Sequence, residues 1–150
     1  CPGMKLTLLE ATAKKVRFLE HIVAALGLKD VSVVHGRAEE LGQDPDHREQ
    51  YHWAMARAVA DLPILVEYLL PLTKVGGRGL AQKGEGAPAE VQRSEWALNQ
   101  LGGQIRRLVP VGLRGLAETR YLVIIDKVAA TPARYPRRPG MPSKRPLLSE

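Results

Sequence analysis

The sequence predicts an α/β fold with a largely parallel sheet and a final antiparallel, hairpin-like strand pair. Three observations predict it. Short apolar runs alternate with helical periodicities from Lys5 to Leu101. The next two apolar runs, Gln104 to Val111 and Arg120 to Lys127, follow one another with no helical pattern between them. The 150 residues are 45% hydrophobic and 25% charged, which permits a buried core and excludes a disordered chain.

The elements follow in order. Lys5 to Leu9 (KLTLL) reads as a buried strand ending at Glu10. Thr12 is placed to cap a helix with its hydroxyl, and Val16, Leu19, Ile22, Val23 and Leu26 recur at helical spacing. Gly27 can end that helix in the left-handed conformation. Val31 to His35 (VSVVH) is a β-branched strand, and Gly36 to Gln50 is polar and loop-like, with room for a short helix. Trp53 to Arg57 (WAMAR) is a strand of poor propensity, since alanine and methionine favour helix. Asp61 can cap a helix through Leu65, Leu69 and Leu70. Val75-Gly76-Gly77 reads as a turn before a strand from Gly79 to Lys83. Pro88 and the pair Gly102-Gly103 bracket a helix from Ala89 to Leu101.

Charge separates a domain from a tail. Net charge is +6, yet residues 1–126 hold 16 Lys/Arg against 15 Asp/Glu. Residues 127–150 hold six basic residues and only Glu150, with five of the 11 prolines. Proline removes donors and fixes φ, so this stretch should be extended, with no continuous helix and no central strand. The division expected is a domain over 1–128 and a basic, proline-rich tail over 129–150. A basic extended segment suits tracking of phosphates, and Tyr135 offers one ring to stack on a base. A solvated tail that only aids solubility accounts for the composition equally well.

Some chemistry is disfavoured. A lone cysteine, Cys1, gives neither a disulfide framework nor a multi-cysteine zinc site, and it fits a cytoplasmic setting. The longest apolar stretch, Leu62 to Leu72, is too short to span a bilayer, and no leader pattern opens the chain. His21, His35, His47 and His52 lack the spacing of a helical metal motif, so no metal is expected. Neither a nucleophile elbow nor an evident acid/base pair occurs. Gly84, Gly86 and Ala89 match G-x-G-x-x-A, but no acid-ending strand follows about 20 residues on, so a dinucleotide oxidoreductase is the weakest reading.

Open parallel sheets bind ligands at the carboxyl ends of their strands. Glu10 stands there after the first strand, where an acid can accept from ribose hydroxyls. Ala38 and Glu39 follow the second, where a backbone N–H and a carboxylate can read an adenine edge. Arg57 follows the third, where a guanidinium can hold a carboxylate or phosphate. Lys83 follows the fourth. Each alone is equally an exposed strand-end charge or a surface ion pair; their repetition at successive strand ends is the signal.

These residues lie in segments with a family likeness. LTLLEATAKKVRFLEHIVAALGL, HGRAEEL, ARAVADL, LLPLTKVGGR, AQKG and TPARYPRRPGMPSKRPL resemble the RsmG (GidB) family of bacterial 16S ribosomal RNA methyltransferases, over essentially all 150 residues. The resemblance implies a class I (Rossmann-like) methyltransferase sheet, S-adenosyl-L-methionine as cofactor, and N7 of a guanine in 16S rRNA as acceptor. It places Glu10, Ala11 and Thr12 at the cofactor's ribose, Ala38 and Glu39 at the adenine, and Arg57 at the cofactor. It suggests Lys83, Arg134, Arg137, Arg138, Lys144 and Arg145 as RNA-binding residues. A monomer without membrane attachment is expected. The family's glycine-rich strand and loop, which cradle the methionine moiety, have no counterpart after Cys1, so the sheet is expected to lack its first central strand and the chain alone to bind the cofactor weakly. A non-enzymatic RNA-binding or ribosome-assembly module on the same fold is the alternative. Guanine N7 carries a lone pair and no proton, so methylation there needs alignment and no base, which fits the missing acid/base pair.

Overall fold

The computed structural model describes residues 3–112 and 118–148. Cys1 and Glu150 lie outside the described residues. The chain divides into two compact units, residues 1–38 and 39–150.

The first unit is a β-α-β turn of chain. Strands β1 (Leu6–Glu10) and β2 (Val31–His35) pair in parallel, from Leu6 opposite Val31 to Glu10 opposite His35. Helix α1 (Ala13–Ala25) makes the crossover and buries Val16. Gly27 takes φ +61 and closes the helix, while Leu28 N–H donates to the Val23 carbonyl at 3.0 Å. Thr12 occupies the cap position, but its hydroxyl caps nothing. Its backbone N–H donates to Glu10 Oε1 instead, at 2.8 Å.

Helix α2 (Ala38–Leu41) stands at the boundary of the units. The second unit carries β3 (Tyr51–Arg57), α3 (Leu62–Leu69), β4 (Thr73–Lys83), α4 (Ala87–Arg93), α5 (Glu95–Leu101), β5 (Gly103–Val111), β6 (Arg120–Lys127) and α6 (Met141–Lys144). Its strand order is β3-β4-β6-β5. β3 and β4 are parallel, and β6 runs antiparallel to both β4 and β5. The α/β class with a terminal antiparallel pair is therefore observed.

The core sits where α3 and α5 meet one face of this sheet. Leu62, Leu65, Val66, Leu69 and Leu70 are buried with Leu98, Leu101, Ala81, Val123 and Ile125. Each buried leucine stabilises the fold by about 2 kcal/mol. The close approach needs Gly103, where a Cβ would lie 2.6 Å from Leu70 Cδ1.

Three expectations change. Val75-Gly76-Gly77 is not a separate turn. It lies inside β4 as a bulge, because Tyr51 pairs with Thr73 while Trp53 pairs with Arg78. Gly76 has φ +82 there, and a Cβ on Gly77 would stand 2.8 Å from the His52 carbonyl oxygen. The helix expected from Ala89 to Leu101 is two, α4 and α5, separated at Ser94, whose hydroxyl donates to the Glu90 carbonyl at 2.6 Å. Asp61 precedes α3 without a side-chain cap; Glu90 Oε2 accepts the Leu62 N–H at 2.7 Å in its place.

The tail also differs from a solvated extended segment. Thr131, Tyr135, Pro136, Pro142 and Leu147 are buried in the second unit, and Met141–Lys144 is helical. Five prolines do prevent a continuous helix, but their carbonyls and rings give the rest of the unit something to bind.

Candidate functional site

In the first unit, Glu10 is the last residue of β1 and His35 the last of β2, side by side at the carboxyl ends of parallel strands. Gly36 N–H donates to the Glu10 carbonyl at 3.1 Å, and His35 Nε2 lies 3.1 Å from the Ala11 carbonyl. These bonds fix the Glu10–Thr12 corner. The Thr12 backbone N–H holds the Glu10 carboxyl below its ordinary pKa, helped by Lys15, so it is ionised at neutral pH. Oε1 accepts the Thr12 N–H, and Oε2 lies 3.9 Å from Lys15 Nζ. Ala38 is half-buried at the start of α2.

In the second unit, Arg57 and Lys83 end the neighbouring parallel strands β3 and β4. Arg57 is exposed, and its side chain bonds no other described residue. Ala58, next to it, holds φ +52, a left-handed conformation that costs a non-glycine residue roughly 1 kcal/mol. Lys83 behaves differently. Its Nζ is 2.7 Å from Glu90 Oε2 and 2.7 Å from the Ala60 carbonyl. The same Glu90 oxygen takes the Leu62 N–H. Lys83 therefore ties the loop behind Arg57 to α4, and its charge is already spent on an internal carboxylate.

Glu39 is buried, and its Oε1 accepts the Gly140 N–H at 3.0 Å. That ties it to the tail, a partner its place after β2 did not suggest. Gln43 Nε2 donates to the Ala133 and Pro136 carbonyls at 3.1 and 2.8 Å. Arg48 donates to the carbonyls of Gly42, Tyr135 and Thr131 at 2.6–2.7 Å. The tail is thus gripped along residues 131–140 by α2 and the segment that follows it.

The basic residues of the tail separate into two groups. Arg137, expected at phosphates, forms a two-point ion pair with Glu67, at 2.9 Å from Nε to Oε1 and 2.7 Å from Nη2 to Oε2. Glu67 is fully buried in the apolar helix α3, and a buried carboxylate requires such a partner. The bonds to Glu67 raise the Arg137 pKa further. Arg134 lies 5.0 Å over the Tyr135 ring and donates to Gln100 at 3.0 Å, and Tyr135 is buried, which removes its ring as a stacking platform for a base. Arg138, Lys144 and Arg145 are exposed, with side chains bonded to no described residue.

Sequence reasoning missed Glu67, Arg48 and Lys127. Lys127 is 1% exposed, 3.2 Å from Glu49 Oε1 and 2.9 Å from the Leu101 carbonyl, and also bonded to Thr131. Burial lowers its pKa to about 8. The one signal in the sequence was a single acid, Glu67, inside the run LPILVEYLL. Among the described residues no cluster of histidine, cysteine and carboxylate side chains could hold a metal, and no helix is long and apolar enough to cross a membrane.

Comparison with known proteins gives this geometry a context. Residues 1–114 match the family model described as GidB, rRNA small subunit methyltransferase G. A ribosomal RNA small subunit methyltransferase G of Roseiflexus castenholzii is 54% identical over 147 residues, 98% of this chain and 62% of the relative. The chain thus spans less than two thirds of that relative's length. An rRNA methylase of Streptococcus thermophilus superposes with TM-score 0.57 at 18% identity, covering 83% of this chain and 74% of the other. A geranyl diphosphate methyltransferase solved with SAM superposes with TM-score 0.60 at 12% identity, covering 84% and 70%. These likenesses establish the class I methyltransferase fold, and the extent of the sequence match establishes more: the chain belongs to the rRNA small subunit methyltransferase G (GidB) family.

Proposed function

We propose that the protein serves transfer of a methyl group from S-adenosyl-L-methionine to N7 of a guanine in 16S rRNA of the small ribosomal subunit, as a cytoplasmic monomer. The single observation that carries this reading is Arg57: a family arginine at the carboxyl end of a parallel strand, exposed, held beside a left-handed alanine, and bonded to no other described residue. A cation placed so serves a bound ligand better than it serves the fold.

The residues fit the cofactor's chemistry. Glu10 is ionised, and a carboxylate at a strand end suits acceptance from a ribose hydroxyl. Ala11 and Thr12 shape the corner that aims it. Within the first unit Ala38 suits an adenine-side contact; within the second, Glu39 suits the same role and Arg57 suits an anionic group of the ligand. The cofactor brings an electrophilic methyl on a sulfonium centre. The acceptor nitrogen has no proton to lose, so the protein's task is alignment, which can supply roughly 7–11 kcal/mol. In A-form RNA the N7 edge lies in a groove too narrow for side chains, so the guanine is read from a loop or splayed out. Arg138, Lys144 and Arg145 are suited to the flanking phosphates.

The test is a chimera. Residues 3–148 replace the matching part of the Roseiflexus castenholzii relative, and labelled methyl transfer to small subunits lacking the modification is followed by nucleoside mass spectrometry. Formation of 7-methylguanosine is expected. No transfer by a folded chimera, with the parent relative active, overturns the reading and favours the non-enzymatic RNA-binding module.

A further inference from the structure

We propose that the tail is a strap that positions the adenine-side segment, so that docking of residues 131–140 and binding of an S-adenosyl ligand are coupled. The inference rests on the reading above and adds a role for residues that the cofactor assignment does not include. Three side chains that follow one another within ten residues, Glu39, Gln43 and Arg48, spend their polar atoms on the tail backbone. Glu39 accepts from Gly140, Gln43 donates to Ala133 and Pro136, and Arg48 donates to Thr131 and Tyr135.

Packing follows the same line. A Cβ on Gly42 would stand 2.7 Å from the Pro136 ring, so chain and ring are in direct contact there. Arg48 also donates to the Gly42 carbonyl at 2.6 Å, closing the segment onto itself while it holds the tail. Helix α2 has only four residues, too short to hold its own shape in water. Its conformation is therefore set by its surroundings, and Glu39 bonds it to the strap. The strap in turn is anchored from the other side by Arg137 on Glu67, and by Tyr68, whose hydroxyl is 3.0 Å from Ser143 Oγ.

Glu39 is accordingly a positioning residue: one oxygen fixes the segment, and the ligand is met by a segment already in place. Coupling of this kind is reciprocal. Releasing the strap weakens the ligand, and the ligand tightens the strap. Substrate RNA that grips Arg138, Lys144 and Arg145 would pull on the same strap.

The experiment uses the chimera with S-adenosylhomocysteine as probe. Calorimetry should give about tenfold weaker binding for Arg137→Ala and about threefold weaker for Gln43→Ala. Hydrogen exchange of the parent chimera should slow on adding the ligand at Glu39–Gln43 and at Tyr135–Gly140, more than at Val123 in the core. Undiminished affinity in a variant whose tail amides exchange freely overturns the proposal. So does ligand protection that skips the tail or is uniform across the chain. Should Arg137→Ala fail to fold, the exposed Gln43 variant and the parent's exchange pattern decide. If the parent chimera binds no S-adenosylhomocysteine, the functional reading falls, and the coupling with it.

Discussion

Glu67 and Arg137 lie 70 residues apart in sequence and meet through two parallel N–H···O contacts, at 2.9 and 2.7 Å. The Arg137 backbone N–H adds a third bond to the same carboxylate, at 2.8 Å. A helix that is otherwise apolar thereby accepts an acid, and the segment around Arg137 acquires a fixed address. Replacing Arg137 by alanine strands that carboxylate. The expected loss is about 3–5 kcal/mol of unfolding free energy, read by urea denaturation. Replacing both residues by leucine and methionine together should restore most of it.

Arg57→Ala should leave stability within about 0.5 kcal/mol, because the side chain is exposed and bonds no other described residue. Methyl transfer by the chimera should fall by at least about a hundredfold. Wild-type turnover would remove Arg57 from the site.

Lys83 should respond in the opposite sense. Lys83→Met breaks the contact with Glu90 and frees the Ala60 carbonyl, at a cost of about 2 kcal/mol in stability. The salt dependence of RNA binding should not change, since this ammonium is not available to a phosphate. A shallower salt slope for the variant would return Lys83 to the RNA contacts.

The triple change of Arg138, Lys144 and Arg145 to alanine tests the exposed basic residues of the tail. Each single-strand phosphate contact contributes roughly 0.7 to the log–log salt slope, so a loss of about 2 is expected, with the melting temperature unchanged. An unaltered slope would show that these three residues meet no phosphate.

Lys127 gives a pH signature. Burial lowers its pKa to about 8 from 10.5, so between those values the unfolded chain binds more protons than the folded one. Folding is therefore penalised below pH 8, and the penalty is relieved as pH rises from about 8 to 10.5. Relative to Lys127→Met, the wild type should gain stability across that window, approaching about 1 kcal/mol per pH unit. Parallel pH profiles for the two proteins would contradict this.

Local patterns carried much of the fold. β1, β2, β5 and β6 were legible because apolar and β-branched runs leave little choice, and Gly27 marked a helix end through its backbone freedom. The strand-tip residues Glu10, Arg57 and Lys83 were legible as positions, since parallel sheets place ligands there. Their employment was not. Lys83 and Arg57 occupy equivalent places on adjacent strands, yet Glu90, seven residues beyond Lys83, pairs with Lys83 and not with Arg57. The strap was hidden for the same reason. Composition reports that residues 129–150 are basic and rich in proline, but whether a guanidinium faces water or a carboxylate depends on Glu67, far away in sequence. The bulge at Val75–Gly77 and the break at Ser94 depend on which strand or helix lies opposite, which no short window contains.

The sheet order carries a practical consequence. β1 is hydrogen-bonded only to β2, and β3 only to β4, so each leaves one flank of main-chain groups without a strand among the described residues. Trp53 and Met55, on β3, are 43% and 59% exposed. Two sticky selvedges of this kind invite a visiting strand, from a peptide or from another molecule. Concentrated preparations of the 150-residue chain should therefore scatter light and bind amyloid dyes, and a short peptide able to zip onto β3 should keep them clear.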